Sequence, residues 1–162
     1  PFPYPRPEWA VSGAVGREPL IITSLDLSPE GLERMNLNLQ AKLAEIQKHE
    51  IRWKEYETED AEVLLVAYGT TGRICLSVMR EARKQGLKVG LFRPQTLWPF
   101  PSARLNELAG QVRVMLAAEM NAGQMVEDVR LAVAGKVPVH FYGRLGGIVP
   151  LADEILAEVK KL

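Results

Sequence analysis

Cysteine is nearly absent from this chain. Cys75 is the only one in 162 residues, which excludes an internal disulfide and a cysteine-held iron–sulfur cluster or structural zinc. Histidine is scarce as well. His49 and His140 are the only two, and neither stands in a metal-ligand spacing or a Ser-His-Asp arrangement. Ser77 and Ser102 lack the surroundings of a hydrolase nucleophile. No charge sign dominates: 20 Lys and Arg balance 20 Asp and Glu, so no basic field suits nucleic acid or an anionic membrane. No apolar run approaches the ~20 residues of a membrane-spanning helix, and no signal-peptide pattern occurs. A reducing, cytoplasmic setting is expected. Neither GxGxxG nor GxxxxGK[ST] is present, so the standard nucleotide loops are missing.

Proline, by contrast, crowds the start. Four of the first seven residues are Pro, so residues 1–27 read as an extended arm, with Leu20–Thr23 as a strand that would need a partner. A chain opening Pro1-Phe-Pro-Tyr-Pro without Met is expected to be a piece of a longer protein. Ser28-Pro29 then offers a helix cap and first turn. Leu32, Met35, Leu39, Leu43 and Ile46 follow at spacings of 3, 4, 4 and 3, one apolar stripe within residues 28–50. The stripe is too short for a coiled coil and is expected to pack on a domain face.

Residues 51–162 form the domain proper. Ile51–Tyr56 alternates like a half-exposed edge strand. Val63–Tyr68 is an apolar run ending at Gly69-Thr-Thr-Gly72, followed by helical periodicity over 73–85, with Cys75 as a buried small apolar residue. Strands at 88–92, 112–118 and 137–142 alternate with helices at 102–109, 125–134 and 152–160. This pattern predicts a mostly parallel sheet covered by helices on both faces. Val63, Leu65, Val89, Leu91, Val114, Leu116, Val137 and Val139 are the expected sheet core.

Chemistry-bearing residues are few. Gly69, Thr70, Thr71, Gly72 and Arg73 lie between a strand end and a helix start, where backbone N–H groups favour an anion. A plain tight turn is the favoured alternative. Glu119, Asn121, Gly123 and Gln124 follow another strand end. A lone Glu without a second carboxylate or His is a poor acid–base pair, so structural or interface use is expected. Trp98 and Phe100 stand with Pro94, Pro99 and Pro101 on one loop, and with Trp9 and Trp53 they serve either to staple the chain or to anchor a partner. No catalytic residue and no metal ligand is assigned.

Four stretches carry a family resemblance: VLLVAYGTTGR (63–73), KVGLFRPQTLWPFP (88–101), EMNAGQMVEDVR (119–130) and GRLGGIVP (143–150). Together they resemble the C-terminal region of the alpha-type subunit of thiamine diphosphate-dependent 2-oxoacid:ferredoxin oxidoreductases, nearest the 2-oxoisovalerate (branched-chain) type. The resemblance implies a transketolase C-terminal-like, three-layer α/β/α sandwich with five strands, one antiparallel. Leu145 departs from it, since such sequences usually carry Pro there. It further implies that thiamine diphosphate, Mg²⁺ and the iron–sulfur clusters belong to other domains or subunits, with none bound by this chain alone. Ferredoxin and coenzyme A would be partners of the whole complex. Residues 51–162 would then be an assembly domain, inactive alone, with Trp98, Phe100, Glu119, Asn121, Gly123 and Gln124 at its interface. The alternative is a free-standing α/β domain holding a nucleotide or other anion at Gly69–Gly72.

Overall fold

The structure, a computed structural model, describes residues 25–162 together with 5, 10, 13, 15–19 and 21. Trp9 and most of the expected strand at 20–23 lie outside the described residues. The chain divides into two units, Pro1–Ala41 and Lys42–Leu162.

Helix α1 (Pro29–His49) begins as its cap sequence predicts. The Ser28 hydroxyl accepts the Gly31 N–H at 3.2 Å, and Asp26 in turn accepts the Ser28 N–H and hydroxyl at 2.9 and 2.7 Å. That network satisfies one of the first-turn donors. The apolar stripe lies along this helix, with Leu32, Met35 and Leu39 exposed and Leu43 and Ile46 half-buried.

Unit 2 holds one five-stranded sheet in the order β1-β3-β2-β4-β5. The strands are β1 (Trp53–Tyr56), β2 (Val63–Val66), β3 (Val89–Pro94), β4 (Val114–Glu119) and β5 (Val139–Gly143). All pairs are parallel except β1 with β3, where Trp53 faces Pro94 and Tyr56 faces Leu91. Helices α2 (Gly69–Lys84) and α5 (Ala152–Val159) cover one face, with Leu65, Leu91 and Leu116 beneath them. Helices α3 (Ser102–Leu108) and α4 (Met125–Val133) cover the other, over Leu64, Phe92 and Met115. Strict alternation along each strand divides these two sets, as a sheet buried on both faces requires.

Two expectations change. Helix α2 starts at Gly69 rather than near residue 73, so the Gly-Thr-Thr-Gly segment is its first turn and not a separate loop. Val139 is only half-buried because β5 is an edge strand; the other seven predicted core residues are buried.

Candidate functional site

Parallel strands send their carboxyl ends, and the loops that follow, to one edge of the sheet. Helix α2 leaves β2 toward β3 over one face, while α4 leaves β4 toward β5 over the other. The crevice that such divergence opens falls between the ends of β2 and β4, and Tyr68 and Asn121 meet there, with Asn121 Nδ2 3.5 Å from Tyr68 Oη.

Beneath this crevice sits Glu119. Its side chain is wholly buried, and its oxygens accept the Met125 and Val126 N–H groups at 2.9 Å each, the Gln124 N–H at 3.4 Å and Asn121 Nδ2 at 3.0 Å. A carboxylate so placed caps α4 and meets its positive end. Glu119 therefore supports the edge from within and cannot touch a partner, a correction to its expected place at the interface. Asn121 Oδ1 accepts the Gly123 N–H at 2.7 Å, which tightens the turn, and Gly123 takes a positive φ of 105° that favours glycine. Gln124 is exposed.

The Gly69–Arg73 turn is split by burial. Thr71 and Gly72 are buried; Gly69, Thr70 and Arg73 are exposed. No Thr caps the helix, because Tyr68 occupies the cap position without a side-chain bond. A Cβ on Gly72 would lie 3.0 Å from both the Ala67 carbonyl oxygen and Arg93 Nε, so this glycine lets strand and guanidinium come close.

The Pro-rich loop is tied to β1. The Gln95 and Thr96 N–H groups donate to the Arg52 carbonyl at 2.9 and 3.2 Å, and the Thr96 hydroxyl donates to the Pro99 carbonyl at 2.9 Å. On this fixed loop Trp98 is 53% exposed. Two other aromatics pack on the core, although Trp53 stays 37% exposed. Trp53 stacks on the buried Phe92, with ring centroids 6.4 Å apart, and Phe100 packs on the α3/α4 core.

Sequence reasoning missed two parts of this edge. The loop after β5 exposes Leu145, Ile148 and Val149, and its Gly146 and Gly147 both take positive φ. The signal was the apolar residues flanking a Gly pair. Arg93, at the end of β3, lines a pocket of about 320 Å³ with Tyr68, Gly69, Pro94, Gln95 and Leu97. A single cation closing the apolar run 89–92 was its only mark.

Elsewhere, a groove of about 720 Å³ runs past Tyr56, Leu76 and Met79. The Glu55 and Arg83 side chains on its wall are committed to ion pairs with Arg104 and Asp60. The buried Cys75 thiol is pushed up to about 12 by desolvation, which suits its expected apolar role. His49 pairs with Glu45 at 3.2 Å on the exposed surface of α1. Among the described residues, no three His, Cys, Asp or Glu side chains gather as metal ligands, and no helix is long and apolar enough to cross a membrane.

Residues 61–155 match the model of the pyruvate:ferredoxin oxidoreductase core domain II. The ketoisovalerate oxidoreductase subunit VorB of Methanothermobacter marburgensis is 40% identical over 158 residues, covering 98% of this chain and 45% of that protein. The chain thus spans about half the length of the curated relatives it matches. Among solved structures, the 2-oxoglutarate:ferredoxin oxidoreductase of Magnetococcus marinus superposes with a TM-score of 0.73 at 24% identity, over 84% of this chain and 24% of that one. A split-gene transketolase in an inactive beta4 tetramer gives 0.60 at 20% identity, over 68% of this chain and 40% of that one. Both likenesses show the fold, and it is transketolase-like.

Proposed function

Because the chain belongs to the pyruvate:ferredoxin oxidoreductase core domain II family of the 2-oxoacid:ferredoxin oxidoreductases, we propose that it is the assembly domain of such an enzyme's subunit. The complex would carry out oxidative decarboxylation of a 2-oxoacid to an acyl-CoA, with electrons passed to ferredoxin. A branched-chain substrate is supported by the 40% identity to a ketoisovalerate oxidoreductase subunit over nearly the whole chain.

The observation that carries the assembly role is the composition of the carboxyl edge. Apolar side chains stand exposed on fixed or glycine-hinged loops there: Trp98, Leu145, Ile148 and Val149. Exposed aromatic and aliphatic groups gathered on one side mark an interaction surface. The carboxylate that ends β4, Glu119, is already bound to backbone N–H groups.

The donor set does not suit the family's cofactors. Cys75 is buried and single, and the acidic side chains near the edge are committed: Glu119 to α4, and Glu154 to Tyr142 and Arg144 at 2.9 and 2.8 Å. Thiamine diphosphate with Mg²⁺, and the iron–sulfur clusters, would be held by other parts of the complex, and this chain alone would be inactive.

Trp98→Ala and Gln124→Ala variants test the role. Assembly with the remaining subunits should weaken by about 2 kcal/mol or more for Trp98→Ala, with the fold of this domain intact by circular dichroism. Unchanged assembly would place the interface elsewhere, on the arm at residues 1–17 first of all. A thermal-shift titration with thiamine diphosphate, nucleotides and coenzyme A separates this role from a free-standing anion binder at Gly69–Gly72. The binder would raise its own midpoint by several degrees.

A further inference from the structure

Arg93 is the least explained charge on the carboxyl edge. It is half-buried at the end of β3 and makes no ion pair and no side-chain hydrogen bond among the described residues. Its neighbours do not compensate it. The other walls of its pocket are Tyr68, Gly69, Pro94, Gln95 and Leu97, none of them acidic. Arg73, exposed just past the first turn of α2, has no carboxylate partner among the described residues either.

Other arginines of the unit differ. Arg83 pairs with Asp60, Arg104 with Glu55 and Arg144 with Glu154. The carboxylates that could reach across the edge are spent, Glu119 inside α4's cap and Glu154 on Arg144. This corner of the sheet is thus locally cationic in a chain whose net charge is zero. Removing a guanidinium partly from water without a counter-charge is costly, and a planar fork is best repaid by a carboxylate. Gly72 lets the Arg93 side chain lie close against the start of α2, since a Cβ there would come within 3.0 Å of Nε.

The rim of the same pocket is apolar. Leu97 lines it and is 43% exposed, and Trp98 follows on the loop that Thr96 holds to β1. A cationic socket beside an apolar shelf specifies a ligand that carries both characters. We propose that the Arg93 pocket receives an Asp or Glu side chain from a partner subunit's docking segment, whose adjoining apolar residue lies on Leu97 and Trp98. This rests on the reading of the carboxyl edge as the assembly surface, and it adds the chemistry of what docks. Arg93 then sets the position and charge preference of the contact, and Trp98 supplies its apolar area.

The test uses the full chain with the remaining subunits of its complex. Binding of Arg93→Gln, Arg93→Lys and Trp98→Ala variants is measured at low and high salt. Arg93→Gln should weaken assembly by about tenfold or more and flatten its salt dependence, because a charged contact is gone. Arg93→Lys should weaken it less and keep the salt dependence, because the charge stays while the fork is lost. Thermal unfolding of each variant, with and without inorganic phosphate, accompanies the binding data. If Arg93→Gln does not fold, the Arg93→Lys comparison decides.

Assembly unaffected by both Arg93 variants but weakened by Trp98→Ala would overturn the carboxylate contact and leave the assembly surface standing. Assembly unaffected by all three would overturn the surface itself. A phosphate-induced rise in melting temperature that Arg93→Gln abolishes, with assembly unchanged, would make this a site for a free anion and would also overturn the proposal.

Discussion

Arg104 grips Glu55 with two nitrogens, Nε at 2.8 Å from Oε1 and Nη2 at 3.0 Å from Oε2. The pair joins α3 to the antiparallel edge strand β1 across 49 residues of sequence. Glu55 also accepts Trp53 Nε1 at 2.8 Å and the Thr58 hydroxyl at 2.9 Å, which makes one carboxylate the anchor of β1.

The Arg104 guanidinium holds the Glu55 carboxyl below the usual glutamate range. A depressed carboxyl contributes stability that is complete above its unfolded value and is lost as pH falls through the folded one. Arg104→Met should therefore destabilise the domain by about 1–2 kcal/mol at neutral pH, less than a buried pair because both side chains are partly solvated. The difference between variant and parent should begin to shrink as pH falls below the ordinary glutamate value of about 4.3, and should vanish only at still lower pH, where Glu55 protonates in the folded parent as well. Urea unfolding at neutral and acid pH measures this. An equal loss at both would assign the effect to packing rather than charge.

Glu119→Ala should cost about 2–4 kcal/mol, since the Met125 and Val126 N–H groups would be left buried without acceptors. Glu119→Gln should cost less, because an amide oxygen still accepts one of the two. Amide hydrogen exchange at Met125 and Val126 should accelerate in the Ala variant before exchange in β2 does. Uniform acceleration across the sheet would mean that α4 does not open on its own.

Leu65→Ala or Leu116→Ala should destabilise by about 2–5 kcal/mol, because each is buried under α2 and α5 with no solvent to fill the gap. Losses below about 0.5 kcal/mol at both positions in thermal or urea unfolding would contradict the two-faced sheet.

Much of the sheet is legible in the order of the amino acids. Val63–Val66 shows as a strand because four apolar residues in a row suit only an element covered on both faces, and its flanking glycine marks the turn. The edge position of β1 shows in its alternation, and it does lie at the sheet's margin. What periodicity and composition do not reveal is anything decided by spatial neighbours. Glu119 looks like a surface polar residue in the chain, yet the start of α4 folds back over it and claims its oxygens. Val139 looks like core until β5 proves to be the last strand. Arg93 carries no sequence signal of its isolation, because partnerlessness is a property of the surroundings. The α1 stripe is legible as a helix face, but periodicity alone does not say what covers it.

Cys75 has one further consequence, for spectroscopy. Its thiol is sealed under α2 and raised to about 12, so at neutral pH it offers almost no thiolate to a maleimide or a spin-label reagent. The native chain is therefore already a silent background for thiol labelling. A cysteine introduced at exposed Gln124 or Ser102 would take a probe selectively, without the usual need to strip native thiols first. With Trp9 and Trp53 replaced by Phe, leaving Trp98 as the one tryptophan donor, distances from such a probe to Trp98 could then follow the loop as other subunits bind.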